Sequence, residues 1–386
     1  MPSDELIITG FKTFVVGNPW KNWVFISLDT HEGLQGVGEA SLNGFALSTQ
    51  AAITELQQYF IGKSAFDVRD IRRSMLLSVY SDGGQIHRSA TTAVETACWD
   101  IVGKALGRPL YQLWGGSIRD DIRTYANGWY RTERDPESFS ERAKYAINLG
   151  YTALKVDPFG STRGGFTKSE KELSLSIIKA IKDSIPPTTD LFIEGHCRFD
   201  VPTAIELSYA LGDIDVGWFE EPVAHWNIQG LTEVSQRSPV RIATGENLTK
   251  FSDFVELTKH TRNLVLQPDV MNLGGLEEAR LVCDLGEAIQ VPVAPHDAQG
   301  PISKAMCLQL AALSPSITIQ EDFELFNDAW TENLSSPLIR RDGYISIPST
   351  PGIGRTLNFD VISEHPYDQN ATLSLFTEGW EQREGL

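Results

Sequence analysis

Three glutamates recur at one interval in the middle of the chain. Glu194, Glu220 and Glu246 close the short apolar runs LFIE, GWFE and RIATGE, each 26 residues after the last. If those runs are adjacent strands, three anions converge, and anions crowded together need a cation. Carboxylate oxygens without cysteine or clustered histidine favour a hard ion, Mg²⁺ first and Mn²⁺ second. The competing explanation for a single glutamate is a helix cap or a lysine pair; three in register weigh against it. Glu221, next to Glu220 in the same run, should point the other way.

Two histidines stand in the same register. His296 closes VPVAPH, and Asp269 closes LVLQPD on the preceding run. An aspartate holding one imidazole nitrogen raises the basicity of the other, the arrangement of a general base. His196 lies two residues beyond Glu194, so both side chains face one side of the strand and sit close to the metal. For each histidine the alternative is a satisfied structural role. His31, His87, His225, His260 and His365 have no partner that the sequence identifies.

These residues need elements to hold them. From about residue 121 onward, apolar runs ending in a polar residue alternate with stretches of helical periodicity. The remaining runs are TYAN (to Asn127), ALKVD (Lys155 and Asp157) and ITIQED (Glu321). From Glu194 the steps between marked residues are 26, 26, 23, 27 and 25, the length of a strand, a helix and two short loops. Asp135 with Pro136 and Asp200 with Pro202 read as helix starts, Gly150 and Gly212 as helix ends. Eight such strands predict a parallel (β/α) barrel, whose strand C-termini converge on one face. An open doubly wound sheet is the alternative. The first 120 residues read as α+β: strands over 6–16, 23–28 and 36–39, helices over 51–60 and 90–106. Between the first two strands, residues 17–23 are turn-rich and carry Trp20 and Trp23. That segment is a lid over the site or a hairpin turn with packed aromatics.

Composition excludes other classes. With 51 acidic against 33 basic residues the net charge is −18, the wrong sign for a phosphate backbone, so no nucleic-acid partner is expected. No apolar run reaches the roughly 18–20 residues of a membrane span, and the acidic start MPSDE is unlike a signal peptide; the expectation is a cytoplasmic protein away from membranes. The four cysteines are scattered and read as reduced thiols.

Taken together, these residues resemble the enolase superfamily, and within it the mandelate racemase-like sugar-acid dehydratases, most closely the galactonate dehydratase group. The resemblance implies a (β/α)7β barrel over 121–345, an N-terminal α+β capping domain over 1–120, and a C-terminal segment, 346–386, that returns to the cap. It implies Mg²⁺ on Glu194, Glu220 and Glu246, a His296–Asp269 dyad, an acid at His196 and a glutamate on the eighth strand, Glu321. The implied activity is dehydration of a small-molecule sugar acid, an aldonic acid, to a 2-keto-3-deoxy acid through a metal-stabilised ene-diolate. A His or Lys base working with Mg²⁺ is this superfamily's known pattern. A homo-oligomer is expected from the same source. One departure bears on mechanism: where many relatives carry Lys-x-Lys on the second strand, this chain has Lys155-Val156-Asp157. That disfavours two-base racemisation and favours one base, His296. Lys155 then binds the substrate carboxylate, balances the metal-site charge, or pairs with Asp157. Asp157, Asn127 and Trp20 complete the expected substrate-binding set. An epimerase or cycloisomerase using the same enolate, or a catalytically silent homologue kept as a scaffold or regulator, are the alternatives.

Overall fold

The computed structural model describes residues 6–18 and 20–382; Pro19 of the expected lid and the acidic MPSDE start lie outside them. Strands β1 (Ile8–Val16), β2 (Trp23–Thr30) and β3 (Gln35–Glu39) form an antiparallel sheet in that order. Helices α1 (Ala46–Glu55), α2 (Val68–Leu76) and α3 (Gly84–Leu106) accompany it, with α3 packed on β3. The approach of β3 is close enough that a Cβ on Gly38 would stand 2.0 Å from the Ala93 carbonyl oxygen. Only glycine fits there. Helix α2 was not anticipated: its arginine-rich VRDIRRSML conceals the three buried residues Val68, Ile71 and Met75. Helix α3 begins at Gly84 and carries Gln85, His87 and Arg88 in its first turns.

A short α4 (Leu110–Leu113) leads into the second sheet. Strands β4 (Asp121–Ala126), β5 (Ala153–Val156), β6 (Asp190–Glu194), β7 (Trp218–Glu220), β8 (Arg241–Thr244) and β9 (Leu264–Leu266) pair in parallel, each with the next. The seventh barrel position is thinner than expected. VPVAPH makes only single parallel bridges, Val293 to Leu266 and Ile317, and His296 to Asp269. Two prolines deny the run its ladder donors. Strand β10 (Gln320–Asp322) then pairs in parallel with β4. That closure makes a barrel and rules out the open sheet.

Seven principal helices alternate with the strands: α5 (Pro136–Asn148), α6 (Lys168–Ser184), α7 (Val201–Ile214), α8 (Ile228–Arg237), α9 (Phe251–His260), α11 (Leu276–Ile289) and α12 (Pro301–Leu313), with a one-turn α10 (Val270–Leu273) before α11. The expected starts hold, since Asp135 accepts from Ser138 N and Asp200 from Thr203 N. One expected stop does not. Gly212 lies inside α7, where its missing Cβ admits Pro239, and Asp215 supplies the left-handed cap at φ 63°. A hairpin of β11 (Arg340–Arg341) and β12 (Tyr344–Ser346) adds antiparallel to β4.

Strand alternation explains how the barrel presents a site. One inward residue from each of eight strand positions fills a layer: Tyr125, Ala153, Phe192, Trp218, Ala243, Val265, Ala294 and Ile319. Phe192 and Trp218 stack at 3.4 Å between centroids, and Tyr125 meets both edge-on at 5.5 Å. Two residues further along a strand points to the same side. That rule gives Asn127, Lys155, Glu194, Glu220, Gln267, His296 and Glu321 as the next layer up. On β8 the count is three, to Glu246, because Gly245 inserts a φ of +132° that side chains avoid.

Candidate active site

Glu194, Glu220 and Glu246 each offer a carboxylate oxygen, all within 4.8 Å of one another. Glu220, fully buried, accepts from Trp218 Nε1 at 2.9 Å and Gln267 Nε2 at 2.7 Å. Burial, and then the charge of Glu194, push its carboxyl up to about 8. Three acids held so close are short of positive charge, and the donors are all hard oxygen. The group therefore fits a divalent cation.

Lys155 lies among the same carboxylates, 3.4 Å from Glu194 and 3.0 Å from Glu321, with a short contact to Glu220. Burial would lower its pKa, but those charges win and hold the ammonium protonated. Of the three roles open to it, the ion pair with Asp157 is excluded. Asp157 turns instead to His196 Nδ1 at 2.5 Å and to Arg198. Its carboxyl is lowered because Arg198 and the His196 bond outweigh burial. Arg198 also donates to the carbonyls of Gly195 and Gly160. His196, at φ 46°, is in the left-handed region, and its backbone N–H donates to Glu194 Oε1 at 2.7 Å. Burial lowers its pKa, yet Glu194 and Asp157 raise it above the ordinary histidine value overall.

The second imidazole is held in the same way. His296 Nδ1 is 2.8 Å from Asp269 Oδ2 and its Nε2 is 3.4 Å from Glu246. Asp269 also caps α10 through Met271 N at 2.7 Å and accepts from Gln299 Nε2. Burial opposes a charged imidazole, but Glu246, Glu321 and Asp269 outweigh it and raise His296 to about 10. Glu246 is the largest of these pushes, so positive charge placed on the glutamate cluster returns the ring toward the neutral form a base requires. Glu321 accepts from Asn127 Nδ2 at 2.7 Å and Asp297 N at 2.6 Å. Lys155 and His296 keep it ionised against burial. Glu221 turns to other partners than the three-glutamate cluster, accepting from Thr244, Gly245 N and Cys197.

A cavity of about 270 Å³ sits above these groups, at the small end for ligand sites. Trp20 lines it from the loop after β1, its ring 4.4 Å from that of Phe323. Asn127 and Lys155 reach the cavity; Asp157 is buried behind His196. The roof also uses Lys21 and, from the end of the chain, Leu373, Leu375 and Trp380. Asn22 and Asn43 tie that last segment down by hydrogen bonds to Asp368, Ala371 and Leu373. The cap also reaches into the barrel: Glu39 at the end of β3 accepts from Gly300, Ile302 and Ser303 N, capping α12 just after the His296 loop. Sequence reasoning missed Lys21, Arg198 and Glu39. Arg198 was within reach, since Glu194, His196 and Arg198 keep the strand's period of two.

Comparison with known proteins agrees with this geometry. Residues 138–361 match the model of the enolase C-terminal domain-like family, and residues 11–115 that of the mandelate racemase/muconate lactonizing enzyme N-terminal domain. The chain is 31% identical to a D-gluconate dehydratase of Thermoproteus tenax over 90% of this chain and 70% of that one. It is 30% identical to a D-gluconate/D-galactonate dehydratase of Picrophilus torridus, over 91% and 90%. Among solved structures, a mandelate racemase/muconate lactonizing enzyme from Sulfitobacter sp. superposes with a TM-score of 0.90 at 26% identity, over 96% of this chain and 98% of that one. The chain belongs to the mandelate racemase/muconate lactonizing enzyme family of the enolase superfamily.

Proposed function

We propose that this enolase-superfamily chain is a Mg²⁺-dependent hydro-lyase that converts an aldonic acid to its 2-keto-3-deoxy acid. What carries the reading is one cavity lined by two histidines, each oriented by its own aspartate, beside a three-glutamate cluster. The dehydratase relatives support it. The proton on C2 is a weak acid because its removal adds a second negative charge beside a carboxylate. A divalent cation held by Glu194, Glu220 and Glu246 supplies, when bound, the charge that offsets this build-up. His296, with Nδ1–H donated to Asp269, presents Nε2 to take the C2 proton. His196, kept protonated by Glu194 and Asp157, gives a proton to the C3 hydroxyl, which leaves as water. The enol then tautomerises to the keto acid. Lys155 is spent on three carboxylates and does not serve as a second base; it balances charge beneath the substrate. Asn127 positions Glu321, and Trp20 closes the roof.

Epimerisation is the second reading, and the second dyad favours it, since His196 could return a proton to the opposite face of C2. A panel of aldonic and aldaric acids, assayed for 2-keto acid with and without EDTA, separates the two. Keto acid formation lost to EDTA and restored by Mg²⁺ is expected. Solvent deuterium at C2 with inverted product and no loss of water would identify an epimerase, and full activity in metal-free protein would overturn both.

A further inference from the structure

Helix α12 follows the loop that carries His296, and it has no cap of its own. Gly300 stands at its N-cap without a side chain and Pro301 follows without an N–H, so the first turn offers three free donors: the N–H groups of Gly300, Ile302 and Ser303. All three go to one residue of the cap. Glu39, fully buried at the end of β3, accepts from Gly300 N at 2.7 Å, Ile302 N at 3.1 Å and Ser303 N at 2.9 Å, and also from Ser41 Oγ at 2.6 Å. A serine or asparagine at position 300 would satisfy this helix end locally without burying a charge. The partner used instead lies 261 residues away in the chain. Burial drives its carboxyl up to about 7 against the bonds from Ser41, Ser303 and Gly300, so a carboxylate is a costly way to cap a helix.

The tie lands beside the base. Between His296 and α12, Asp297 N donates to Glu321 Oε2 at 2.6 Å, the Asp297 carboxylate meets Lys304 at 2.6 Å, and Gln299 Nε2 donates to Asp269 Oδ2 at 3.2 Å. Glu39 holds the far end of that span. The fit is close, since a Cβ on Gly300 would stand 2.8 Å from Glu39 Oε1 and 3.0 Å from Oε2. On the cap side, the chain runs on from Glu39 to Leu42 and Asn43, which line the cavity. One carboxylate thus joins a wall of the cavity to the loop that carries His296. Asp269 orients the imidazole ring, and Glu39 holds the backbone from which the ring hangs.

We infer that Glu39 is a positioning residue, which from the cap fixes the 296–300 loop so that His296 Nε2 stays aimed at the C2 proton. The inference rests on the reading of His296 as the base and adds a residue outside the barrel that governs its rate.

The test compares Glu39→Gln with Asp100→Asn in the full chain with Mg²⁺ present. Asp100 is an equally buried carboxylate of the cap, whose partners, Val37 N, Ile353 N and Lys104, lie outside the 296–303 segment; it controls for lost stability. In Glu39→Gln a side-chain amide group must face backbone donors, so hydrogen exchange of the 296–303 amides should quicken about tenfold or more. There kcat and C2 exchange should fall together by about 10- to 100-fold, with KM within about threefold of the parent's, as a misplaced catalytic group requires. Asp100→Asn should lower the melting temperature yet leave kcat, KM and the 296–303 amides near the parent's. Gly300→Ala, which presses a methyl against Glu39 and keeps its charge, should repeat the Glu39→Gln pattern in smaller measure and decides the matter if Glu39→Gln does not fold. Unchanged amide exchange over 296–303, or quickened exchange with kcat unchanged, would overturn the inference, as would an equal loss of kcat in Asp100→Asn. Glu39 would then cap a helix and nothing more, while the proposed function stood. If no sugar acid exchanges its C2 proton in the parent, the proposed function fails, and the amide exchange alone decides whether Glu39 holds the loop.

Discussion

Replacing His196 with Asn divides the proposed reaction at its middle. The substitution removes the imidazole but leaves Asp157 paired with Arg198, whose guanidinium also holds the Gly195 and Gly160 carbonyls. The buried charge pair therefore survives, and the ring is partly exposed, so stability should change by no more than about 1 kcal/mol. Glu194 keeps both its oxygens and its place in the cluster. What is lost is a general acid, typically worth about 10²- to 10⁴-fold, or about 3–5 kcal/mol of barrier. In D₂O, proton NMR of substrate recovered after partial reaction measures exchange at C2, while keto acid formation measures loss of water. Dehydration should fall by that factor while C2 exchange continues at a rate within a few-fold of the parent's, provided deprotonation is reversible. Loss of both rates together, with metal still bound, would refute the division, because His196 would then share in removing the C2 proton or only position the substrate.

Other perturbations probe neighbouring parts. His296→Asn should leave the melting temperature within a few degrees and abolish both C2 exchange and dehydration; exchange at the normal rate would move the base elsewhere. Glu220→Gln should weaken Mg²⁺ binding at least tenfold by calorimetry, because it removes a ligand and Lys155's closest carboxylate partner. Arg340→Leu tests a buried network behind the site, where Arg340 meets Asp322 and Glu324. Burial would raise both carboxyls, but Arg340 together with Lys304 and Arg355 holds them below the usual range. Their stabilisation is thus present above about pH 4 and lost as pH falls further. The variant should be about 3–5 kcal/mol less stable at pH 7, with the gap narrowing below pH 4 in urea titrations; a gap constant from pH 3 to 7 would contradict the assignment.

What the sequence made legible was whatever obeys the strand period. Glu194, Glu220, His296 and Glu321 each stand two residues beyond an inward residue of the Tyr125–Trp218 layer, so apolar alternation and the spacing of about 25 residues sufficed to bring them to one face. Glu246 is out of step, and only Gly245 at φ +132° returns it to the centre. Partners across the barrel were not legible. Lys155 and Asp157 are neighbours in sequence and opposite charges, yet one points to β6 and β7 and the other to His196 and Arg198 in the loop after β6. No local rule decides between those pairings, because they depend on which carboxylates the closed barrel brings near. Loops lie further out of reach, since they carry no period. The 17–23 segment showed two tryptophans, and aromatic side chains announce a packed surface, whereas the lysine between them announces nothing until its surroundings are known. Its place in the cavity lining is a property of the folded molecule alone. Strand residues of this site thus have their positions written in the alternation, while the loop residues that line the cavity, Trp20 and Lys21, sit where the sequence leaves position open.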